Sequence, residues 1–340
     1  MNPIVSVVLT AFNADAHVGD AIESILKQTW TDFEFIIVDD GSDDGTRGII
    51  EEFAARDDRI VFICNEKNQG QPQSRNAAIE QATGEFIAIM DADDVAYPHR
   101  LKTQVEYLKN HSEIGVVASL VRMIDGNGKR LGMIGGYAAS APEIVWRELT
   151  QLSSSMVHPS VMFRRSLVRQ YNLHYNPEYP HSQDKELWGR FLLHSKGTVI
   201  SKVLLKYRTH ANSISQAKAA SQQEYALRAV VQMNCSLFGD GALTSAELEQ
   251  MVLDDGSFGS KGWQLKMERL DQLKAISRFN DSDVGLLRGM AWIDAGVRGT
   301  GYLAMDWWRY GFSALGVVGM FKAFSLKMAR FCRKAWAYFS

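Results

Sequence analysis

Phe86-Ile87-Ala88-Ile89-Met90-Asp91-Ala92-Asp93-Asp94 is an apolar run of strand length that stops abruptly in carboxylates. The same grammar recurs on both sides of it. Short, β-branched runs at 5–10, 33–38, 60–65, 86–90 and 114–120 read as strands, and residues 16–28, 46–55, 73–81 and 98–110 between them carry helical spacing. Strands alternating with helices point to consecutive βαβ units, an α/β fold whose twisted sheet is mostly parallel and covered by helices. Polar residues gather where strands end, at Thr10-Ala11-Phe12-Asn13, Asp39-Asp40-Gly41-Ser42 and Asp91-Ala92-Asp93-Asp94. In open α/β sheets the ligand crevice lies beyond the carboxyl ends of the strands, so these loops should converge on one site.

Farther along, residues 138–215 are mixed, with a helix-like 183–193 and a strand-like 199–207 that complete the same domain. Beyond about residue 216 helix signals dominate. Thr244-Ser245-Ala246-Glu247 has the spacing of a capping box, and Asn280 to Ser282 offer further N-caps. The expected division is an α/β domain over 1–215, a helical region over 216–305 and a basic tail over 306–340.

The 340 residues are 46% hydrophobic with only 7 prolines, which excludes disordered and collagen-like chains. The 37 Lys and Arg nearly cancel the 39 Asp and Glu, so no whole-chain field draws it to nucleic acid, and outside the tail the basic residues are dispersed. Cys64, Cys235 and Cys332 are far apart and form no C-x-x-C pair, which fits a reducing compartment. Met1-Asn2-Pro3-Ile4 runs straight into a strand, so no signal peptide and a cytoplasmic location are expected.

Asp91 and Asp93, two apart on an extended segment, point alike and offer hard oxygen ligands for Mg or Mn. Such ions bridge phosphate oxygens and neutralise a leaving group. An acidic turn between strand and helix can equally be an N-cap. Asp40 and Arg75 strengthen the ligand reading: a carboxylate can accept the imide N–H of uracil, and an arginine near a helix start can meet base or phosphates. There is no G-x-G-x-x-G after the first strand and no G-x-x-x-x-G-K-[ST], so dehydrogenase and P-loop sites lack their phosphate cradles.

These segments, together with Val157 to Arg164, Gln183-Asp184-Lys185-Glu186-Leu187-Trp188 and Tyr207-Arg208-Thr209-His210, resemble the family 2 glycosyltransferases with the GT-A fold over residues 4 to about 215. The resemblance implies inverting transfer from a nucleotide-sugar, with a UDP-sugar as the commoner donor. It would place Thr10, Ala11 and Phe12 around the base, Asp40 on the uracil edge, Arg75 beside the nucleotide and Asp91 at the ribose. Asp93 would hold the metal, Asp184 would be the general base, and Arg208 and His210 would face the diphosphate or metal. Inversion needs one in-line displacement, so a single carboxylate taking the acceptor proton suffices. The family usually writes glutamate before that base, where this chain has Gln183. The alternative to an active enzyme is a catalytically inactive, membrane-associated scaffold that keeps the nucleotide-sugar pocket. His158 could brace the acceptor loop. Trp188 could stack on a sugar, though an aromatic on an apolar helix face is more often core.

After Asp306 the charges are all basic: Arg309, Lys322, Lys327, Arg330, Arg333 and Lys334. On a helix over 313–339 the last five fall within about 140°, opposite Phe321, Phe324, Phe331 and Trp336. That pattern reads as a helix lying on the inner membrane face, where a lipid-linked glycan would be the acceptor. The alternative is docking on protein.

Overall fold

The computed structural model describes residues 3–135, 139–209, 219–241, 243–253 and 261–273, together with Asp283 and Leu287. The expected N-caps at 280–282, the basic tail and His210 lie outside the described residues. By its contacts the chain divides into two units, one of residues 1–139 with 154–229 and one of residues 140–153 with those from 230 on.

The first unit opens with strict alternation: β1 (Val5–Ala11), α1 (Val18–Leu26), β2 (Phe33–Asp39), α2 (Thr46–Ala54), β3 (Ile60–Cys64), α3 (Gln71–Gln81) and β4 (Phe86–Asp91). It continues through β5 (Val95–Ala96), α4 (Arg100–Asn110), β6 (Ile114–Ile124) and β7 (Arg130–Gly135). The helix α5 (Ala141–Thr150) follows, then β8 (Met162–Arg164), α6 (Arg165–Tyr171), α7 (Gln183–His194) and β9 (Lys196–Arg208). The strands form one nine-stranded sheet in the order β3-β2-β1-β4-β8-β6-β9-β5, with β7 on β6. Strands β1 to β4 pair in parallel, as expected. The second half of the sheet is mixed: β8 runs antiparallel to both β4 and β6, β7 to β6 and β5 to β9, while β6 and β9 are parallel. β5 and β8 have 2 and 3 residues, too few to show a period in the sequence.

Helix and sheet meet through complementary faces. In α1 the buried Val18, Ala21, Ile22 and Ile25 recur at helical spacing, and in α4 Leu101, Val105 and Leu108 do the same. They pack on Val5, Val7, Leu9, Phe35, Ile37, Phe86 and Ala88 from the strands. Burying each large side chain contributes about 1.5–3 kcal/mol.

The turn after β2 is sterically fixed. Gly41 has φ +75, and a Cβ there would sit 2.6 Å from the Lys67 carbonyl carbon and 2.7 Å from the Asn68 nitrogen. Both are main-chain atoms that no rotamer change can move aside. Gly41→Ala should therefore lower stability by about 2 kcal/mol or more in denaturant unfolding. An unchanged midpoint would show that the 65–70 segment yields easily.

In the second unit α8 (Ala219–Phe238, which the division crosses near its middle), α9 (Ser245–Leu253) and α10 (Lys261–Leu273) follow the first in sequence. The expected capping box opens α9: Thr244 Oγ1 donates to Glu247 Oε2 at 2.8 Å and accepts the Glu247 N–H at 3.3 Å. Leu248, Met251 and Leu265 form its small core. α5 belongs to this unit although the sequence assigned it to the α/β domain, with the Asn234 amide donating to the Leu149 carbonyl at 3.2 Å.

Candidate active site

β1 lies between β2 and β4, with Ala11 level with Asp39 and Thr10 level with Asp91. The strand order reverses at this point, which opens a crevice beyond the strand ends. The first two loops are pinned together there. The Asn13 N–H donates to Ser42 Oγ at 3.0 Å, the Asp43 N–H to Asn13 Oδ1 at 3.1 Å and the Ala14 N–H to Thr46 Oγ1 at 2.7 Å. Asn13 takes the left-handed conformation, φ 49, which asparagine tolerates. Thr10 is partly buried. Ala11 is buried in the core and its carbonyl accepts the Asp40 N–H at 2.8 Å, whereas Phe12, just past the strand, is 48% exposed.

Asp40 is a buried hub. Its Oδ1 accepts Asn65 Nδ2 at 2.9 Å, the Gln69 N–H at 2.9 Å and Ser74 Oγ at 2.7 Å, while Oδ2 accepts, among the described residues, the Gly70 N–H alone, at 3.0 Å. The carboxylate thus shapes the loop that launches α3. The next residue, Arg75, reaches the other carboxylate: its Nη2 lies 3.0 Å from Asp91 Oδ1, and its buried Nε–H has no partner among the described residues. Consecutive residues of one helix therefore join the ends of β2 and β4.

The Asp91–Asp94 turn is braced from below. The Asp94 Oδ1 accepts the Arg208 N–H at 2.8 Å, and Arg208 Nε donates to the Asp93 carbonyl at 2.7 Å. Arg208 was expected to face the diphosphate or the metal. In this structure its guanidinium serves main chain: Nη1 donates to the Gly126 carbonyl at 2.9 Å, and Nη2 lies 3.5 Å from Asp20 Oδ2. The carbonyls of two turns converge on the end of β9 and draw the fork onto themselves. Arg100, fully buried, donates to the Ile89 carbonyl at 2.6 Å, and burial pulls its pKa down to about 10 against the pull of Asp94 and Asp91. Burial, then the charges of Asp93 and Asp91, push the Asp94 carboxyl well above the usual range. Burial opposes ionisation of Asp91 too, but His158 and Arg75 outweigh it and hold that carboxyl well below the usual range.

The turn suits a hard divalent ion. Among the described residues no three ligating side chains converge, yet Mg and Mn commonly take one or two carboxylates and complete their shell with phosphate oxygens. Asp91 and Asp93 are partly exposed beside the buried Asp94, whose Oδ2 has no hydrogen-bond partner among the described residues.

Asp184 stands in the first turn of α7, and its charge acts on the phenol of Tyr175. Tyr175 Oη lies 2.8 Å from His158 Nε2, and His158 Nδ1 lies 3.4 Å from Asp91 Oδ1. His158 was weighed from sequence as a brace; Tyr175 and Arg100 were missed, Tyr175 because its partners lie in remote segments. Trp188 is fully buried against Phe163 and Phe191, which makes it core rather than a sugar platform. Gln183, also buried, donates Nε2 to Gln71 Oε1 at 3.1 Å, a bond that a glutamate there could not donate.

Comparison with known proteins adds identity to this geometry. A family model described as glycosyl transferase family 2 matches residues 6–172. An uncharacterized glycosyltransferase of Methanocaldococcus jannaschii is 37% identical, over 66% of this chain and 77% of its own. The UDP-Glc:alpha-D-GlcNAc-diphosphoundecaprenol beta-1,3-glucosyltransferase WfgD of Escherichia coli is 29% identical over 63% of this chain and 81% of its own. Among solved structures, a Pyrobaculum calidifontis mannosyltransferase in complex with GDP-Man and Mn2+ aligns with a TM-score of 0.54 at 15% identity, over 95% of this chain and 88% of its own.

Proposed function

The chain belongs to glycosyl transferase family 2, and from that premise we propose that it moves a sugar from a UDP-sugar, with inversion at the anomeric carbon, to a hydroxyl of a lipid-linked glycan in cell-surface polysaccharide synthesis. Its sheet with flanking helices is the GT-A fold, and the chain is a glycosyltransferase. The UDP donor and lipid-linked acceptor are carried over from the named activity of the E. coli relative. The observation that carries the reading is the Ser74–Arg75 step, which ties Asp40 and Asp91 to one helix start beyond the end of β1.

In this reading Thr10, Ala11 and Phe12 border the base, and the Oδ2 of Asp40, with one protein donor among the described residues, accepts the uracil imide N–H. Asp91 receives the ribose and Arg75 the nucleotide. Asp93, with His210 from outside the described residues, would hold Mn or Mg, which supplies charge neutralisation on the diphosphate. Arg208 acts through the turn it braces. Asp184, the general base, takes the acceptor proton; it and Arg208 lie beyond the matched 6–172, so their roles rest on the local motifs. No helix among the described residues is long and apolar enough to cross a membrane, and the basic tail would hold the enzyme to the inner leaflet.

The test is transfer from α-linked UDP-sugars to a polyprenyl-diphosphate-linked sugar with Mn, reading the new linkage by NMR. A β-linked product is expected. A product that retains the α configuration, or turnover of GDP-sugars alone, would overturn the proposal.

A further inference from the structure

We propose that His158 and Tyr175 are positioning residues that fix the orientation of the Asp91 carboxylate for the nucleotide. The inference rests on the reading of Asp91 as a donor-site carboxylate. Among the described residues the two side chains that reach the Asp91 carboxylate, Arg75 through Nη2 at 3.0 Å and His158 through Nδ1 at 3.4 Å, meet the same oxygen, Oδ1. The Arg75 hydrogen bond and the longer His158 contact on one oxygen restrain rotation of the carboxylate, and among the described residues Oδ2 is left without a protein donor to accept a ligand hydroxyl.

The imidazole can do this only in one protonation pattern when neutral. The nitrogen facing the carboxylate must carry the proton, so Nε2 is an acceptor and Tyr175 O–H donates to it at 2.8 Å. Burial pushes the Tyr175 phenol above its ordinary pKa, which keeps that proton in place. A ligating histidine elsewhere in proteins is oriented through its second nitrogen in the same manner. Tyr175 is in turn locked: Asn76 Nδ2 donates to its carbonyl and Asn76 Oδ1 accepts its N–H, both at 2.8 Å. Asn76 follows Arg75 in α3, whose guanidinium lies 5.5 Å above the Tyr175 ring. The two donors on Asp91 therefore share one foundation. The buried Trp188 also packs near the imidazole of His158, with 6.2 Å between ring centroids.

Tyr175→Phe removes one hydroxyl and keeps the ring, so the fold should persist. In the full chain with Mn, it should raise the UDP dissociation constant and the donor KM about three- to tenfold, the loss falling on KM rather than kcat. His158→Asn keeps a donor near the Nδ1 position and should lose less donor affinity than His158→Ala. Because the hydroxyl acts only through the imidazole, Tyr175→Phe should cost nothing further in the His158→Asn background. If Tyr175→Phe unfolds at the wild-type temperature and leaves both constants unchanged while Asp91→Asn weakens UDP binding, the positioning role is wrong and the donor site stands. Full additivity of the two changes would also overturn it. Unchanged UDP binding in Asp91→Asn would instead remove the donor-site reading beneath it.

Discussion

Asp184→Asn is expected to cut sugar transfer by about 10²–10⁴-fold while UDP binding and thermal unfolding stay at wild-type values. The asparagine amide keeps the size of the side chain but cannot take the acceptor hydroxyl proton as a carboxylate can. Asp184 also stands in the first turn of α7, where a negative charge stabilises the exposed N–H groups by about 0.3–1 kcal/mol. A purely helix-capping role would thus appear as a small fall in unfolding temperature with turnover preserved. The surroundings make the two outcomes separable. α7 is anchored by buried Leu187, Trp188, Phe191 and Leu192, and Glu186 forms a two-pronged pair with Arg190 at 2.7 and 2.8 Å. Helix position therefore does not hang on Asp184. Ser182, just before α7, is held at φ 53 with its hydroxyl donated to the Gln222 carbonyl, so it does not cap the helix. Wild-type turnover in Asp184→Asn would remove it from the base role.

The parts of the fold legible in the sequence are those where local pattern and long-range packing agree. β1, β2 and β4 are buried on both faces, so their apolar runs announce themselves and end within a residue of where the sequence places them. Gln183 to His194 likewise shows its inner face at helical spacing. The short β5 and β8 owe their conformation to partners in distant segments, which no local window contains. The site divides along the same line. Asp40, Arg75 and Asp91 sit at strand and helix ends where the crevice rule directs attention. The Arg208 brace and the His158–Tyr175 pair are contacts between segments 17 to 115 residues apart. Carboxylates at strand ends were readable as a place; which of their oxygens remain available was not, because Asp40 and Asp91 acquire their hydrogen bonds only when the chain closes.

The surroundings of the three carboxylates in the turn after β4 decide what Asp93→Asn should do. Asp91 already faces Arg75 and His158, and Asp94 is buried with one oxygen on the Arg208 N–H. Asp93 is partly exposed, as Asp91 is, and Arg208 Nε holds its main-chain carbonyl, a bond that Asp93→Asn keeps, so the turn should stay in place. The expected result is a fall in transfer of about 10²–10³-fold and the loss of Mn-dependent strengthening of UDP binding, with unfolding temperature little changed. Removal of Mn from the wild type by a chelator should reproduce both effects. If Asp93 acts through the metal, the two losses describe one interaction, and chelation should add nothing to the variant. Were Asp93 instead to act by shaping the turn, the variant and the chelator would each cost activity independently and their effects would multiply. Multiplying losses, or Mn still tightening UDP binding to Asp93→Asn, would therefore move the metal to other oxygens and leave Asp93 as a structural member of the turn.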